Sequence, residues 1–135
     1  MVAAVTVERE DIRVMFLRAT ADTPEAIQRA WAQFEVAVEL KGRKFFGVFD
    51  PVANEYRACA QLTVEDDPEA LGFEEGILPG GTYLRARLHG EPPAVYEKIA
   101  PTVQELEQQA RVDPSRPIIE FYRSRDVIDV LVPIM

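Results

Sequence analysis

Apolar positions recur with period two in some stretches and at helical spacing in others, and the switches between the two patterns divide the chain into elements. Asp11 to Ala19 carries Ile12, Val14 and Phe16 on one parity and Met15 and Leu17 on the other, which predicts a strand covered on both faces. Thr23-Pro24-Glu25-Ala26 is a helix start, with Thr as cap, Pro at the first position and an acid in the first turn. Ile27, Ala30, Trp31, Phe34 and Val38 then form one apolar stripe, which reads Trp31 as core, and Gly42 is expected to close the helix. Lys44 to Asp50 and Tyr56 to Val64 form a predicted hairpin around Asp50-Pro51-Val52-Ala53-Asn54. A short edge strand is expected within Phe73 to Leu78 before the turn Pro79-Gly80-Gly81. Thr82 to His89 alternates again, and Pro92 to Ala110 shows a stripe of Val95 or Tyr96, Ile99, Val103, Leu106 and Ala110, with a kink expected at Pro101. Pro117 to Arg123 and Val127 to Ile134 pair around Ser124-Arg125-Asp126 as a second hairpin.

Strand, helix, hairpin thus occurs twice, over residues of about 8–64 and 81–135, although the two halves share little sequence. Laying FFGVFD over IIEFYR sets Gly47 on Glu120 and keeps the parities in step. The predicted fold is α+β: two βαββ units in one bent antiparallel sheet, both helices on one face. On this reading Ile119, Phe121, Val130 and Val132 pack beneath the helices. Glu120, Tyr122, Phe45 and Phe49 fall on the other face, in a groove made by the bend.

Glu120 interrupts an otherwise apolar strand, RPIIEFYRS. If buried, it must be paired, protonated or waiting for a ligand, because an unpaired anion in apolar surroundings costs several kcal/mol. If its face is open to water, it is an ordinary surface Glu.

Composition narrows the chemistry. The chain's 135 residues suit one domain, 1–135, and 47% hydrophobic with 28% charged residues is ordinary for a globular protein. The longest apolar runs fall short of a membrane span, and the early charges Glu8 to Asp11 break any secretory pattern, so a cytoplasmic setting is expected. One Cys (Cys59) and one His (His89) supply no disulfide and no ligand set, so no metal and no cofactor are expected. The acidic run Asp66, Asp67, Glu69, Glu74 and Glu75 reads as solvated surface. A net charge of -8 disfavours direct nucleic-acid and membrane binding, unless a local basic patch overrides the mean. Gly80-Gly81 lacks a phosphate-loop context, and no Ser stands in a nucleophile motif.

Four features in order resemble the GyrI-like family, the small-molecule-binding domain also found as the effector-binding module of multidrug-responsive bacterial transcription regulators. They are FGVFD at Phe46 to Asp50 followed by YRACAQL, PGGTY at Pro79 to Tyr83, His89-Gly90 leading into a helix, and PIIEFY at Pro117 to Tyr122 before VLVPI. The resemblance implies a pseudo-dyad between the two modules and a ligand groove where they meet, with Glu120 as the acid that faces lipophilic cations. Tyr122, Tyr83 and Tyr56 would supply an aromatic ring, with Phe45, Phe49 and Phe16 counted beside them. Arg85, on the parity of Tyr83, is the protein's own candidate to neutralise Glu120. No room is seen ahead of Asp11 for a helix-turn-helix domain, so the expectation is a stand-alone binding protein. Its partner would be a small molecule, with a protein partner or a homo-oligomer also open. The alternative from the same resemblance is a hydrolase of cyclopropane-containing electrophiles using Glu120 as general base, and a third is inhibition of a topoisomerase by protein contact.

Overall fold

A computed structural model describes residues 2–38 and 42–135. It is an α+β structure built on one curled, antiparallel sheet of eight strands in the order β1-β6-β8-β7-β3-β4-β2-β5. The strands are β1 (Val5–Arg9), β2 (Ile12–Arg18), β3 (Phe45–Asp50), β4 (Glu55–Gln61), β5 (Glu74–Leu78), β6 (Gly81–His89), β7 (Ile118–Ser124) and β8 (Val127–Pro133). The helices are α1 (Pro24–Ala37), the single turn α2 (Pro68–Leu71) and α3 (Ile99–Gln109), with a 3-10 helix at Ala94–Lys98 leading into α3.

Strand order explains the curl. β1 and β2 lie near opposite ends of the sheet, yet only Glu10 and Asp11 join them; β5 and β6 likewise are joined by Pro79 and Gly80 alone. Such short links require the two edges to approach. The links touch: the Gly80 N–H donates to Asp11 Oδ1 at 2.6 Å, and a Cβ on Gly80 would stand 2.4 Å from the Arg9 carbonyl oxygen. Only glycine fits that crossing.

Both faces of the sheet are therefore buried. The inner face holds one core drawn from strands across the whole sheet, including Val14, Phe16, Phe46, Cys59, Leu78, Tyr83, Ile119 and Leu131. The outer face carries both long helices. α1 seats Phe34 against Met15, Phe45, Ala58, Ala60 and Phe73, and α3 seats Leu106 against Leu84, Ala86, Ile128, Val130 and Val132. Fully burying each such side chain contributes about 1.5–3 kcal/mol. The register Phe45↔Tyr122, Tyr122↔Ile128 and Leu88↔Ile128 runs along one face, so α1 and α3 stand on the same side.

The expected elements are present, with corrections. α1 starts where expected, the Thr23 hydroxyl accepting from the Ala26 N–H at 3.2 Å, but it ends at Ala37; the segment before Gly42 falls partly on residues 39–41, outside the described residues. The second helix is not one kinked rod. A 3-10 stretch gives way to α3 at Ile99, which puts Pro101 in the first turn, where its missing N–H costs nothing. β1 went unforeseen because its burial is shallow, and α2 because it is one turn long.

Candidate functional site

β3 and β7 pair at the centre of the sheet, and their outward-facing residues lie between α1 and the 3-10 helix. Gly47 stands opposite Glu120, and Phe45 opposite Tyr122. With no side chain at Gly47, Tyr56 of β4 reaches across β3, and its Oη donates to Glu120 Oε1 at 3.1 Å. Tyr122, two residues along the same strand face, donates to the same oxygen at 2.6 Å. Trp31 of α1 donates its Nε1–H to Tyr56 Oη at 3.0 Å, fixing the phenol from above.

Further rings pack on these two phenols and on Phe45. Trp31 meets Tyr122 edge-on at 5.5 Å between centroids and Phe45 at 6.3 Å. Tyr96, on the 3-10 helix, meets Tyr122 edge-on from the opposite side at 6.4 Å and is 47% exposed. Edge-to-face contacts of this kind leave ring faces available for other partners.

Glu120 has no cationic partner among the described residues: its hydrogen bonds come from two neutral phenols, both to Oε1, and Oε2 receives none. Burial raises its proton affinity above the ordinary carboxylate value, and the two phenol hydrogen bonds oppose that rise without cancelling it. Burial and the facing carboxylate likewise push both Tyr56 and Tyr122 well above ordinary phenols, so both remain protonated donors. The site holds a carboxyl group among aromatic rings, with one oxygen unfilled among the described residues. Arg18 and Arg57 stand on the opposite face, over Phe16, where Arg18 bridges Glu55 and Glu74 and Arg57 meets Glu55 and Asp50.

Of the eight residues expected in the site, the structure brings five to one face: Glu120, Tyr122, Tyr56, Phe45 and Phe49. The grouping is as expected but the face is not. They lie on the helix side, because Glu120 pairs with Val130, which α3 covers; Ile119 and Phe121, expected beneath the helices, belong to the inner face. Tyr83, Phe16 and Arg85 also fall on the inner face. Tyr83 and Phe16 are core there, with Tyr83 Oη donating to the Pro79 carbonyl at 2.6 Å. Arg85 stands opposite Leu131, across the sheet from Glu120, and so does not neutralise it. Trp31 and Tyr96 were missed. Helical spacing identified their stripes but could not show that these two stand at the edges of their helices, facing each other across β7.

Among the described residues no group of three His, Cys, Asp or Glu side chains could hold a metal ion, and no helix is long and apolar enough to cross a membrane. Asp66, from the acidic run, is taken by Arg43 at 2.6 Å and by Thr63, and these hydrogen bonds hold its carboxyl at about 2.

Solved structures share this fold. An integron cassette protein from the mobile metagenome of Vibrio cholerae superposes with a TM-score of 0.78 at 16% identity, covering 98% of this chain and 95% of that one. SAV2435, solved bound to tetraphenylphosphonium, gives 0.71 at 14% identity, with 98% and 94% covered. The C-terminal domain of EcmrR gives 0.66 at 12% identity, with 98% and 97% covered. At these identities the likeness shows the fold alone. No curated protein matches the chain. Residues 5–135 match the family described as the GyrI-like small molecule binding domain, and the chain belongs to that family.

Proposed function

We propose that this chain binds lipophilic, aromatic cations between α1 and the 3-10 helix, with Glu120 as the counter-charge. One observation carries the reading: a half-buried carboxylate that accepts from Tyr56 and Tyr122, which in turn meet Trp31 and Tyr96, and that has no cationic partner among the described residues. A bound cation would complete the pairing that burial demands, and each ring face adds about 0.5–2 kcal/mol. The neighbour bound to tetraphenylphosphonium supports a ligand of this class.

The same reading treats the chain as one domain of two βαββ halves related by a pseudo-dyad. Outward from the centre, β7, β8 and β6 mirror β3, β4 and β2. Exchanging the halves turns the pair Phe45–Tyr122 into Phe49–Ile118, which is also paired, and leaves Gly47–Glu120 at the axis. Glu120 then marks the junction where a ligand groove is expected. Its raised proton affinity favours a second reading, a hydrolase in which Glu120 serves as general base on a cyclopropane electrophile.

Titration of wild type and Glu120→Gln with tetraphenylphosphonium and with neutral triphenylphosphine oxide separates these readings. For the binding protein, the substitution weakens the cation by roughly 2–4 kcal/mol and leaves the neutral ligand nearly unchanged. For the hydrolase, binding survives and turnover of a cyclopropane substrate disappears. Equal affinity of both proteins for both ligands, with no turnover by either, would sink Glu120 as the functional residue.

A further inference from the structure

The inner face of the sheet carries a charge imbalance that neither the core nor the Glu120 site explains. Arg9 of β1, Arg85 and Arg87 of β6, and Arg123 of β7 share that face, and the carboxylate set among them is Asp129 of β8. Asp129 is 2% exposed; Arg87 Nε reaches it at 2.7 Å and Arg123 Nη1 at 3.3 Å, while both arginines remain well exposed. The Arg9 and Arg123 guanidinium groups also stand over one ring, Phe121, at 5.8 and 5.5 Å from its centroid. Arg9 makes no ion pair with a carboxylate among the described residues; burial lowers its proton affinity, and the more distant Asp129 offsets this only in part. Arg85 Nε is buried and meets no acceptor among the described residues. The guanidinium groups of Arg9, Arg87 and Arg123 thus gather about Asp129 and Phe121, with Arg85 two residues before Arg87 on the same face, in a chain of net charge -8. Other arginines, such as Arg18, Arg57 and Arg116, have carboxylates within reach.

From this juxtaposition we infer a second binding site, formed by Arg9, Arg85, Arg87 and Arg123 around Phe121, for a phosphate-type oxyanion. Half-buried like charges without counter-ions cost free energy, and an oxyanion that accepts several N–H groups removes that cost. Planar guanidinium forks match the oxygens of phosphate in geometry as well as in charge. The site lies across the sheet from Glu120 and takes ligands of opposite charge, so it stands independently of the cation reading.

The test uses inorganic pyrophosphate as probe, at low salt, followed by calorimetry and by NMR of the arginine Nε–Hε groups. Wild type should bind saturably, with the Arg85 and Arg9 signals shifting in step. Arg9→Gln and Arg85→Gln should each weaken binding by roughly tenfold or more, as expected for the loss of a charged hydrogen-bond donor. Arg29→Gln, a charge loss of equal size on the exposed face of α1, should leave binding unchanged. Arg123→Gln, which alters an exposed side chain, provides a further variant should a substitution at Arg85 fail to fold. Adenosine diphosphate binding more tightly than pyrophosphate would assign the site to nucleotides. Pyrophosphate-sensitive binding to phosphatidylglycerol vesicles would assign it to a lipid headgroup. Absence of saturation by about 10 mM, beyond the weak end of specific binding, would overturn the inference, as would an equal loss in Arg29→Gln.

Discussion

Replacing Gly47 by alanine tests whether the Glu120 site is built as described. The glycine sits in β3 with an ordinary extended backbone, so the methyl group itself strains nothing locally; the cost is steric. The new Cβ would lie 2.2 Å from Tyr56 Oη and 2.5 Å from Glu120 Oε1, against the roughly 3.5 Å of a normal contact. Both groups must move by about 1 Å, and Tyr56 is pinned by Trp31. Overpacking costs about 1–3 kcal/mol, and weakening the phenol hydrogen bonds to a buried charge adds to it. The expected loss is about 2–4 kcal/mol of unfolding free energy, or on the order of 10 °C in Tm for a domain of this size. Urea denaturation measures it. Removing the nearest clashing atom gives an internal control: Gly47→Ala with Tyr56→Phe should recover at least about 1 kcal/mol relative to additivity. A Gly47→Ala protein within about 0.5 kcal/mol of wild type, or a cycle additive within that margin, would refute the geometry.

Three further outcomes follow from other parts of the molecule. Glu120 binds its proton more tightly folded than unfolded, so its contribution to stability is full below its ordinary value of 4.5 and is lost as pH rises through the higher folded value. Glu120→Gln should therefore match wild type in Tm near about pH 4 and gain on it progressively towards about pH 8; a constant difference across that range would contradict the burial argument. Cys59 is buried in the inner core, which pushes its thiol well above the ordinary value, so native protein should resist iodoacetamide at about pH 8 and react only after unfolding, as mass spectrometry would show. Thr23→Ala removes the hydroxyl that caps α1 and should cost about 1 kcal/mol in chemical denaturation, with Thr23→Ser restoring most of it.

Much of this architecture was legible in the sequence because period-two alternation and turn chemistry are local. Val14 and Phe16 marked β2 and Thr23-Pro24 marked the start of α1, whereas the cross-strand pairing of Gly47 with Glu120 was not read from their overlay. Assignment of faces was not legible. Alternation separates two faces without saying which meets the helices, and a sheet that buries both removes the usual clue of a polar outer side. That is why Glu120 was grouped correctly with Phe45, Phe49 and Tyr122 but placed away from α1. Arg85 shows a related limit: sharing a parity with Tyr83 says nothing about Glu120 until register ties β6 to β7 through β8. Trp31 and Tyr96 depend on the rotation of two helices about their axes, a tertiary property with no local signature.

The crossing of the Glu10–Asp11 and Pro79–Gly80 links has a mechanical consequence. Together they cinch the sheet like a collar, so the strands beneath the carboxylate cannot splay apart without tearing the Gly80–Asp11 hydrogen bond and pulling both links taut. On the proposed reading, accommodation of guests of different girth falls instead to the helices, which rest on the sheet through side-chain packing and side-chain hydrogen bonds such as that from Trp31 to Tyr56. On that reading recognition is divided between a floor on the sheet bearing Glu120, Tyr56 and Tyr122 and two helical walls bearing Trp31 and Tyr96. A fixed charge beneath movable rings would set the sign of an acceptable guest strictly and its outline loosely.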